Sequence, residues 1–258
     1  MKKNFNLKDN KPFFFNIVVP VFNAEKYIEK CISSILKQTF KNYKVQIVDD
    51  CSTDSTYERA ASLIKNRKNS KNISIFRNSS RSGALKNISD LLNKEIEEPS
   101  KTIDILIDGD DYLYSGDVLN IIKDKYLQTN CLLTYGSHLS SQGVQGKKYP
   151  GFIRRFNLFR NYFWYASHLK TFRHDLWLSI KPNDLLDKNG NYFSFASDLA
   201  IMFPMLEMAG NRQEFMDEVL YVYNDENPIS DHKIRRNDQI LAAKEIRQKN
   251  KYMKQEFL

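Results

Sequence analysis

Short β-rich runs alternate with helical patterns through the first 115 residues of the chain. Between these runs, apolar residues recur at the spacing of one helix face. The β-rich runs are 15–19, which Pro20 is expected to end, 44–48, 73–76 and 103–107, and the helical segments are 24–38, 55–67 and 83–92. Because parallel strands need a crossover connection, the alternation predicts an α/β fold with a mostly parallel, doubly wound sheet and helices on both faces.

The pattern changes after residue 115. The predicted elements are helices over 116–127, 197–209 and 234–257, strands over 131–137 and 218–223, and a hairpin-like segment over 138–151. Ser115 is the predicted N-cap of the first helix, and Pro204 is expected to interrupt the second. We expect one domain over 1–258, in which a small antiparallel section and a basic C-terminal helix follow the parallel half.

Charge and composition exclude several classes of protein. With 258 residues, of which 41% are hydrophobic and 27% charged, the chain is typical of a folded globular protein rather than a disordered one. The net charge is +8, but the positive excess lies in residues 1–11 and 234–258. The body therefore lacks the basic surface typical of nucleic-acid binding, and we expect no nucleic-acid partner. Peripheral membrane contact through the basic tail stays open, as does the oligomeric state.

Cysteine usage and hydropathy indicate a cytoplasmic protein. The three cysteines are widely spaced and form no C-x-x-C pair, which supports neither a disulfide framework nor a thiolate zinc site. The apolar stretch 13–22 is too short to span a bilayer and lacks the pattern of a signal peptide. We therefore expect neither secretion nor membrane insertion.

Acidic residues follow two of the predicted strands. Asp49 and Asp50 come after the second strand, and Asp108, Asp110 and Asp111 come after the fourth. In open sheets of this kind, ligands bind at the carboxyl ends of the strands. Two acidic clusters at one edge would repel each other unless a cation or hydrogen-bond donors compensated, and a hard divalent cation shared with substrate phosphates meets that need. The residues alone therefore predict a nucleotide and metal site.

Two other functional classes fit parts of the pattern. An acidic pair after one strand and an aspartate after another are also typical of phosphoacceptor receiver domains, although here the pair follows the second strand. The basic ends and the aromatic, basic run 156–164 would suit a non-catalytic nucleic-acid-binding protein.

Three motifs resemble glycosyltransferase family 2, whose members have the GT-A fold. They are Asn16-Ile-Val-Val-Pro-Val-Phe-Asn-Ala-Glu with the helix that follows, Val48-Asp-Asp-Cys-Ser-Thr-Asp-Ser-Thr, and Ile107-Asp-Gly-Asp-Asp-Tyr. A thinner similarity continues through 171–173, 197–199 and 220–224. The resemblance implies a nucleotide-sugar-binding half over about 13–115, an acceptor-binding half over about 116–233, and a basic tail over about 234–258.

The resemblance also implies roles for the donor side. Pro20, Phe22 and Asn23 would line the base and ribose, and Asp50 would accept a hydrogen bond from the base. Lys86 would be a donor-side cation, where the family usually has arginine. In the D-x-D pair, Asp108 would face the ribose and the metal, and Asp110 would hold the Mn²⁺ or Mg²⁺ ion on the diphosphate.

On the acceptor side, the resemblance assigns the general base to Asp198, preceded by Ser197 where the family usually has glutamate. From the C-terminal segment, His232 would bind the metal or the diphosphate, and Lys233 and Arg235 would contact the diphosphate. His168 is expected to be structural or on the acceptor side. The implied reaction is inverting transfer of a hexose from a UDP-sugar to a hydroxyl of a glycan, lipid-linked or protein acceptor.

Overall fold

A computed structural model of the protein describes residues 13–65, 72–227 and 235–255. Within these residues nine strands form one sheet in the order β3-β2-β1-β4-β8-β6-β9-β5, with β7 paired to β6. The strands are β1 Phe14–Val21, β2 Tyr43–Asp49, β3 Ile73–Arg77, β4 Thr102–Leu106, β5 Tyr112–Leu113, β6 Leu133–Ser140, β7 Gly143–Gln145, β8 Lys170–Arg173 and β9 Gln213–Val222. The helices are α1 Ile28–Leu36, α2 Thr56–Lys65, α3 Ala84–Leu92, α4 Val118–Thr129, α5 Gly151–Arg155, α6 His174–Trp177, α7 Ser197–Ala209 and α8 Arg236–Gln248.

The first half is the predicted parallel sheet. Strands β3, β2, β1 and β4 are all parallel. The prediction that Pro20 ends β1 is wrong, because the strand continues to Val21. The Pro20 carbonyl accepts the Gly109 N–H at 3.1 Å, beyond Leu106, where the β1–β4 ladder ends. Any other residue at this position would direct its N–H to that same side, beyond the end of the β1–β4 ladder. Proline, which has no N–H, therefore removes no ladder hydrogen bond.

The second half continues the same sheet. Strand β8 is antiparallel to β4, and β6 is antiparallel to both β8 and β7, which confirms the hairpin-like segment. Strand β9 is parallel to β6, so this half is mixed rather than purely antiparallel. In the β4–β8 register Leu106 lies opposite Lys170. The residues just before β8 are therefore placed beside the acidic residues just after β4.

Helices cover both faces of the sheet, as the alternation predicted. Ile17 and Val19 of β1 face a core with α1, α2 and α4, whereas Val18 faces a core with α3 and α7. This division follows from the alternation of side chains along a strand. Helix α7 runs through Pro204 without a break, and α4 begins at Val118 with Asp117, not Ser115, at its N-cap.

The C-terminal segment packs on the α7 face. Arg160, buried, makes two hydrogen bonds to Glu207 of α7 at 2.7 and 3.0 Å and one to the Ile246 carbonyl. Tyr252 donates its backbone N–H to Glu207. Helix α8 ends at Gln248, earlier than predicted, because the following residues turn to make these contacts. No helix in the described part of the chain is long and apolar enough to cross a membrane.

Candidate active site

The loop after β4 holds three carboxylates in fixed positions. The Asp108 N–H donates to the Tyr221 hydroxyl at 3.0 Å, and Asp110 accepts a hydrogen bond from the Asn227 side chain at 2.7 Å. Asp111 accepts the Asn224 N–H at 2.7 Å. Each bond comes from the end of β9 or the residues after it. The C-terminal end of β9 therefore orients the whole acidic loop.

Gly109 allows this loop to lie against β1. A Cβ atom at this position would lie 2.5 Å from the side chain of Val21 and 3.2 Å from the Pro20 carbonyl. Contacts that short require one of the two segments to move. Glycine between Asp108 and Asp110 thus sets how closely the acidic loop approaches the end of β1.

Asp111 is buried with one oxygen unpartnered. Burial and the charges of Asp108 and Asp110 raise the pKa of Asp111 to about 9, while the hydrogen bond from the Asn224 N–H and a weaker interaction with Tyr221 act in the opposite direction. Its Oδ2 atom has no hydrogen-bond partner among the described residues. A buried carboxylate oxygen without a donor is costly. A bound cation would supply the missing interaction and favour the ionised form.

His168 supplies a second unpartnered atom at the same point. Its ring is stacked on Tyr221 and Tyr223, with centroids 4.7 and 5.2 Å away, and is buried. Burial, with Lys170 as the next cause, holds the pKa of His168 well below its usual range, so the ring is neutral. Its Nδ1 atom has no hydrogen-bond partner among the described residues and lies 4.0 Å from Asp108 Oδ2.

These groups fit a divalent cation. Ligand atoms from Asp108, Asp111 and His168 lie within 4.8 Å of one another, and a neutral imidazole with carboxylates suits Mn²⁺. Sequence reasoning assigned the metal to Asp108, Asp110 and His232. His232 and Lys233 lie outside the described residues. The exposed Arg235 is described, and its side chain is paired with Asp238 at 3.4 Å.

The predicted base, Asp198, lies next to a buried lysine. Asp198 is in the first turn of α7, after Ala196 in the left-handed conformation (φ 55°). Its Oδ1 accepts a hydrogen bond from Lys170 Nζ at 2.6 Å. Burial lowers the pKa of Lys170, but the carboxylates of Asp198 and Asp108 outweigh this effect and the net shift is upward. Lys170 is therefore a permanent cation, which also interacts with Asp111.

Asp50, which is predicted to lie on the donor side, anchors the loop after β3. Burial raises the pKa of Asp50, but hydrogen bonds from Asn87, the Ser82 N–H and Asn78 outweigh it, so its pKa is lowered. Among its direct donors are the Ser82 and Gly83 N–H groups at 2.8 and 2.9 Å. Together with Asn78 and Arg81 at 2.9 and 3.0 Å, they engage both carboxylate oxygens. Its predicted contact with the base stays a prediction, and would have to share these oxygens.

Arg81 also covers the predicted base-binding ring. Its guanidinium lies 3.4 Å from the centroid of Phe22 while its Nε binds Asp50. A guanidinium group stacks on an aromatic ring because both are flat, and a nucleobase can stack on either group for the same reason. Asn23 has φ of 48° and accepts the Thr53 N–H at 2.9 Å, so it holds the turn after β1.

Lys86 lies on the exposed surface of α3. Its Nζ binds Asp90 at 2.7 Å, one helical turn away, and this bond raises its pKa. The role of Lys86 as a donor-side cation stays a prediction. The cation that contacts both Asp50 and Phe22 is Arg81, five residues earlier.

Sequence reasoning missed the groups that surround the carboxylates. The structure adds Arg81, Asp111, His168, Lys170 and Tyr221 to the site. Asp111 was visible as the third acidic residue of its motif. Tyr221 lies in the segment 220–224 of the resemblance, and His168 was expected to be structural or on the acceptor side. Arg81 and Lys170 carry no motif signal, because a lone basic residue is usually a surface residue.

A family comparison matches most of the chain. The family model described as glycosyl transferase family 2 matches residues 16–182. The poly(ribitol-phosphate) β-N-acetylglucosaminyltransferase TarS of Staphylococcus aureus is 32% identical over 101 residues, 38% of this chain and 16% of TarS. The UDP-Glc:α-D-GlcNAc-diphosphoundecaprenol β-1,3-glucosyltransferase WfgD of Escherichia coli is 26% identical over 137 residues, 52% of this chain and 50% of WfgD. The chain thus spans half or less of these two relatives.

Solved structures show the same fold. The complex of S. aureus TarS residues 1–349 with UDP-GlcNAc superposes with a TM-score of 0.61 and 21% identity, covering 82% of this chain and 58% of that one. The mannosyltransferase PcManGT of Pyrobaculum calidifontis, in complex with GDP-Man and Mn²⁺, superposes with a TM-score of 0.61 and 18% identity, covering 94% of this chain and 70% of that one. These glycosyltransferases confirm the predicted GT-A architecture.

Proposed function

Because the chain belongs to glycosyl transferase family 2 and is a glycosyltransferase, we propose that it transfers a hexose from a UDP-sugar to an acceptor hydroxyl with inversion, assisted by a divalent cation. The observation that carries the proposal is the convergence on Lys170. This lysine binds Asp198 and interacts with Asp108 and Asp111, so the predicted base and one predicted donor carboxylate, Asp108, lie around the same cation.

The proposed reaction is a single displacement at the anomeric carbon. Asp198 accepts the proton of the acceptor hydroxyl, and the oxygen of that hydroxyl forms the new bond to the anomeric carbon. The bond from that carbon to the β-phosphate oxygen breaks, and the nucleoside diphosphate leaves with the electron pair. Lys170 engages Asp198 Oδ1 and leaves Oδ2 for the proton. General-base assistance of this kind contributes about 10²–10⁴-fold.

The proposed metal site combines residues of the loop after β4 with a residue just before β8. Asp108, Asp111 and His168 would hold the cation, and Asp110 is the further carboxylate that the sequence motif assigns to it. The cation supplies charge neutralisation for the departing diphosphate. Lys170 and the end of β9 keep the surrounding carboxylates in position before the donor binds.

The named relatives support a donor class and an acceptor class. TarS was solved with UDP-GlcNAc and WfgD is named for a UDP-Glc donor, which supports a UDP-linked hexose here. The two relatives act on a poly(ribitol phosphate) and on a lipid diphosphate-linked sugar, which supports glycan or polysaccharide synthesis with a polymeric or lipid-linked acceptor. We further propose that the chain works in the cytoplasm as one domain, with a donor half, an acceptor half and a C-terminal tail that belongs to the body.

Donor binding tests the proposal. The protein is heated with UDP, GDP, dTDP or CMP and the matching sugars, each with Mn²⁺ or with a chelator. We expect UDP compounds alone to raise the melting temperature, and only with the metal. A ligand at about one hundred times its Kd adds about 2.7 kcal/mol. NMR of the product's anomeric proton then reports inversion. Stabilisation by another nucleotide, or a retained configuration, would contradict the corresponding part.

A further inference from the structure

One continuous segment carries aromatic and basic residues but no acidic ones. Residues 141–173 contain seven lysines or arginines and no aspartate or glutamate. The C-terminal residues 249–255 likewise contain three lysines and no acidic residue. Three of the seven cations, Arg160, Lys170 and Arg173, are buried and paired with Glu207, Asp198 and Asp175. Of the remaining cations, Lys147, Lys148 and Arg155 are exposed, whereas Arg154 is half-buried.

Large apolar side chains project from the same segments. Phe152, Phe156, Phe163 and Met253 are 52, 62, 71 and 85% exposed. Phe152 and Phe163 both pack against Tyr162, with ring centroids 6.1 and 5.4 Å away. Phe156 lies one helical turn after Phe152. Isolated exposed hydrophobic residues are ordinary, but several adjoining aromatic ones mark an interaction surface.

Cations surround these side chains. Arg155 lies over the ring of Phe156 at 5.5 Å, and Lys254 Nζ binds the Arg155 carbonyl at 3.4 Å. Lys251 Nζ binds the Asn157 carbonyl at 3.0 Å. Lys147 lies 5.9 Å from the ring of Tyr165, which itself packs on Tyr162. We call this surface the aromatic-basic face; its members are Lys147, Phe152, Arg155, Phe156, Phe163, Lys251, Met253 and Lys254.

We propose that the aromatic-basic face binds the surface of an anionic lipid bilayer. Phenylalanine side chains enter the boundary between headgroups and acyl chains, and the cations around them attract anionic headgroups. A soluble polyanion would satisfy the cations but would leave three phenylalanines in water. A second copy of this chain would bring the same uncompensated positive charges together. The lipid surface alone satisfies both features.

The face is rigidly attached to the body. Its α5 part is held by buried Ile153 and Phe159, and its C-terminal part by Tyr252, whose hydroxyl binds Asp184 at 2.5 Å. The sequence placed membrane contact in the basic tail as a whole. The structure instead assigns it to 147–163 and 251–254. The segment continues from Phe163 to Lys170 beside Asp198, so a membrane-borne acceptor would suit this side; that last step rests on the proposed function.

Vesicle flotation tests the inference. The full chain is mixed with phosphatidylcholine vesicles, with or without about one-third phosphatidylglycerol. We expect flotation only with the anionic vesicles. Two double variants should each weaken binding at least tenfold: Phe156→Ser with Phe163→Ser, and Lys251→Gln with Lys254→Gln. The first removes apolar area that enters the bilayer. The second removes two cations, each of which contributes about fivefold near the membrane surface.

Matched controls come from the opposite side of the sheet. Leu127→Ser with Lys125→Gln on α4 removes one exposed apolar and one basic side chain, and should leave flotation unchanged. Melting temperatures confirm that each variant folds. The proposal would be overturned if the phenylalanine variant bound vesicles as tightly as the unsubstituted protein. It would also be overturned if soluble polyphosphate competed equally well against vesicle binding by these two proteins. A dimer in sedimentation that the phenylalanine substitutions dissociate would overturn it as well. None of these outcomes depends on transferase activity.

Discussion

Lys170 Nζ lies 2.6 Å from Asp198 Oδ1, joining the start of β8 to the first turn of α7. The lysine is buried, while the aspartate side chain is 37% exposed. The lysine therefore lies inside the protein, and the carboxylate that it binds reaches the surface. It also connects the predicted base to the carboxylates after β4, because Lys170 interacts with Asp108 and Asp111.

Replacing the proposed base should remove turnover but retain donor binding. We expect Asp198→Asn to lower the rate of transfer about 10²–10⁴-fold, because the amide cannot accept the hydroxyl proton. The dissociation constant of UDP, measured by calorimetry, should change little. Asp124→Asn, on the exposed surface of α4, is the matched control and should keep full activity. Turnover of Asp198→Asn near that of the unsubstituted protein would remove Asp198 from the mechanism.

Metal binding should depend on His168 and Asp111. Titration with Mn²⁺, followed by electron paramagnetic resonance in the absence of any donor, should show about tenfold or greater weakening for His168→Leu and for Asp111→Asn. His138→Gln is the control, because its ring packs edge-on to His168 at 5.7 Å but lies outside the ligand cluster. If Asp110→Asn abolished binding while His168→Leu did not change it, the ligands would be Asp110 and groups outside this cluster.

Adding one carbon at Gly109 should displace the acidic loop. Gly109→Ala brings a Cβ atom to 2.5 Å from Val21, and overpacking of this kind costs about 1–3 kcal/mol. We expect a lower free energy of unfolding in urea and weaker UDP binding. Gly151→Ala meets no atom within 4 Å and should stay within about 0.5 kcal/mol. Unchanged stability of Gly109→Ala would show that the loop accommodates the methyl group.

The stability contributed by Asp50 should disappear in acid. Its pKa is lowered in the folded state, so its stabilisation is complete above the unfolded value of about 3.9 and is lost as pH falls towards the folded value. Asp50→Asn should cost about 1–3 kcal/mol at pH 7, because the Ser82 and Gly83 N–H groups bind different oxygens of Asp50 and the amide keeps an acceptor for only one of them. The unfolding free energies of the two proteins should converge below about pH 4. A constant difference between pH 7 and pH 3 would exclude this contribution.

The strands and helices of the first half followed from local pattern. The β-rich runs became β1 to β4 within one or two residues. Strands β1 and β4 are buried on both faces and are mostly apolar, whereas β3 at the sheet edge is largely exposed. Helix α7 was located over 197–209 because nearly all its residues are apolar and Gly210 follows. The errors occurred where a local rule was overridden: Pro20 stays in its strand because its missing N–H lies beyond the β1–β4 ladder.

The sequence by itself determined which carboxylates lie at the carboxyl edge of the sheet. Asp50, Asp108, Asp110 and Asp111 follow strands whose parallel pairing is encoded by alternation along the chain.

Only the tertiary structure decided what surrounds those carboxylates. Lys170 and His168 reach them because β8 pairs antiparallel to β4 with Leu106 opposite Lys170, and Tyr221 comes from β9. Such pairings join residues more than 60 positions apart. No local preference encodes them, because the free energy that selects them comes from closing the sheet and burying its two faces.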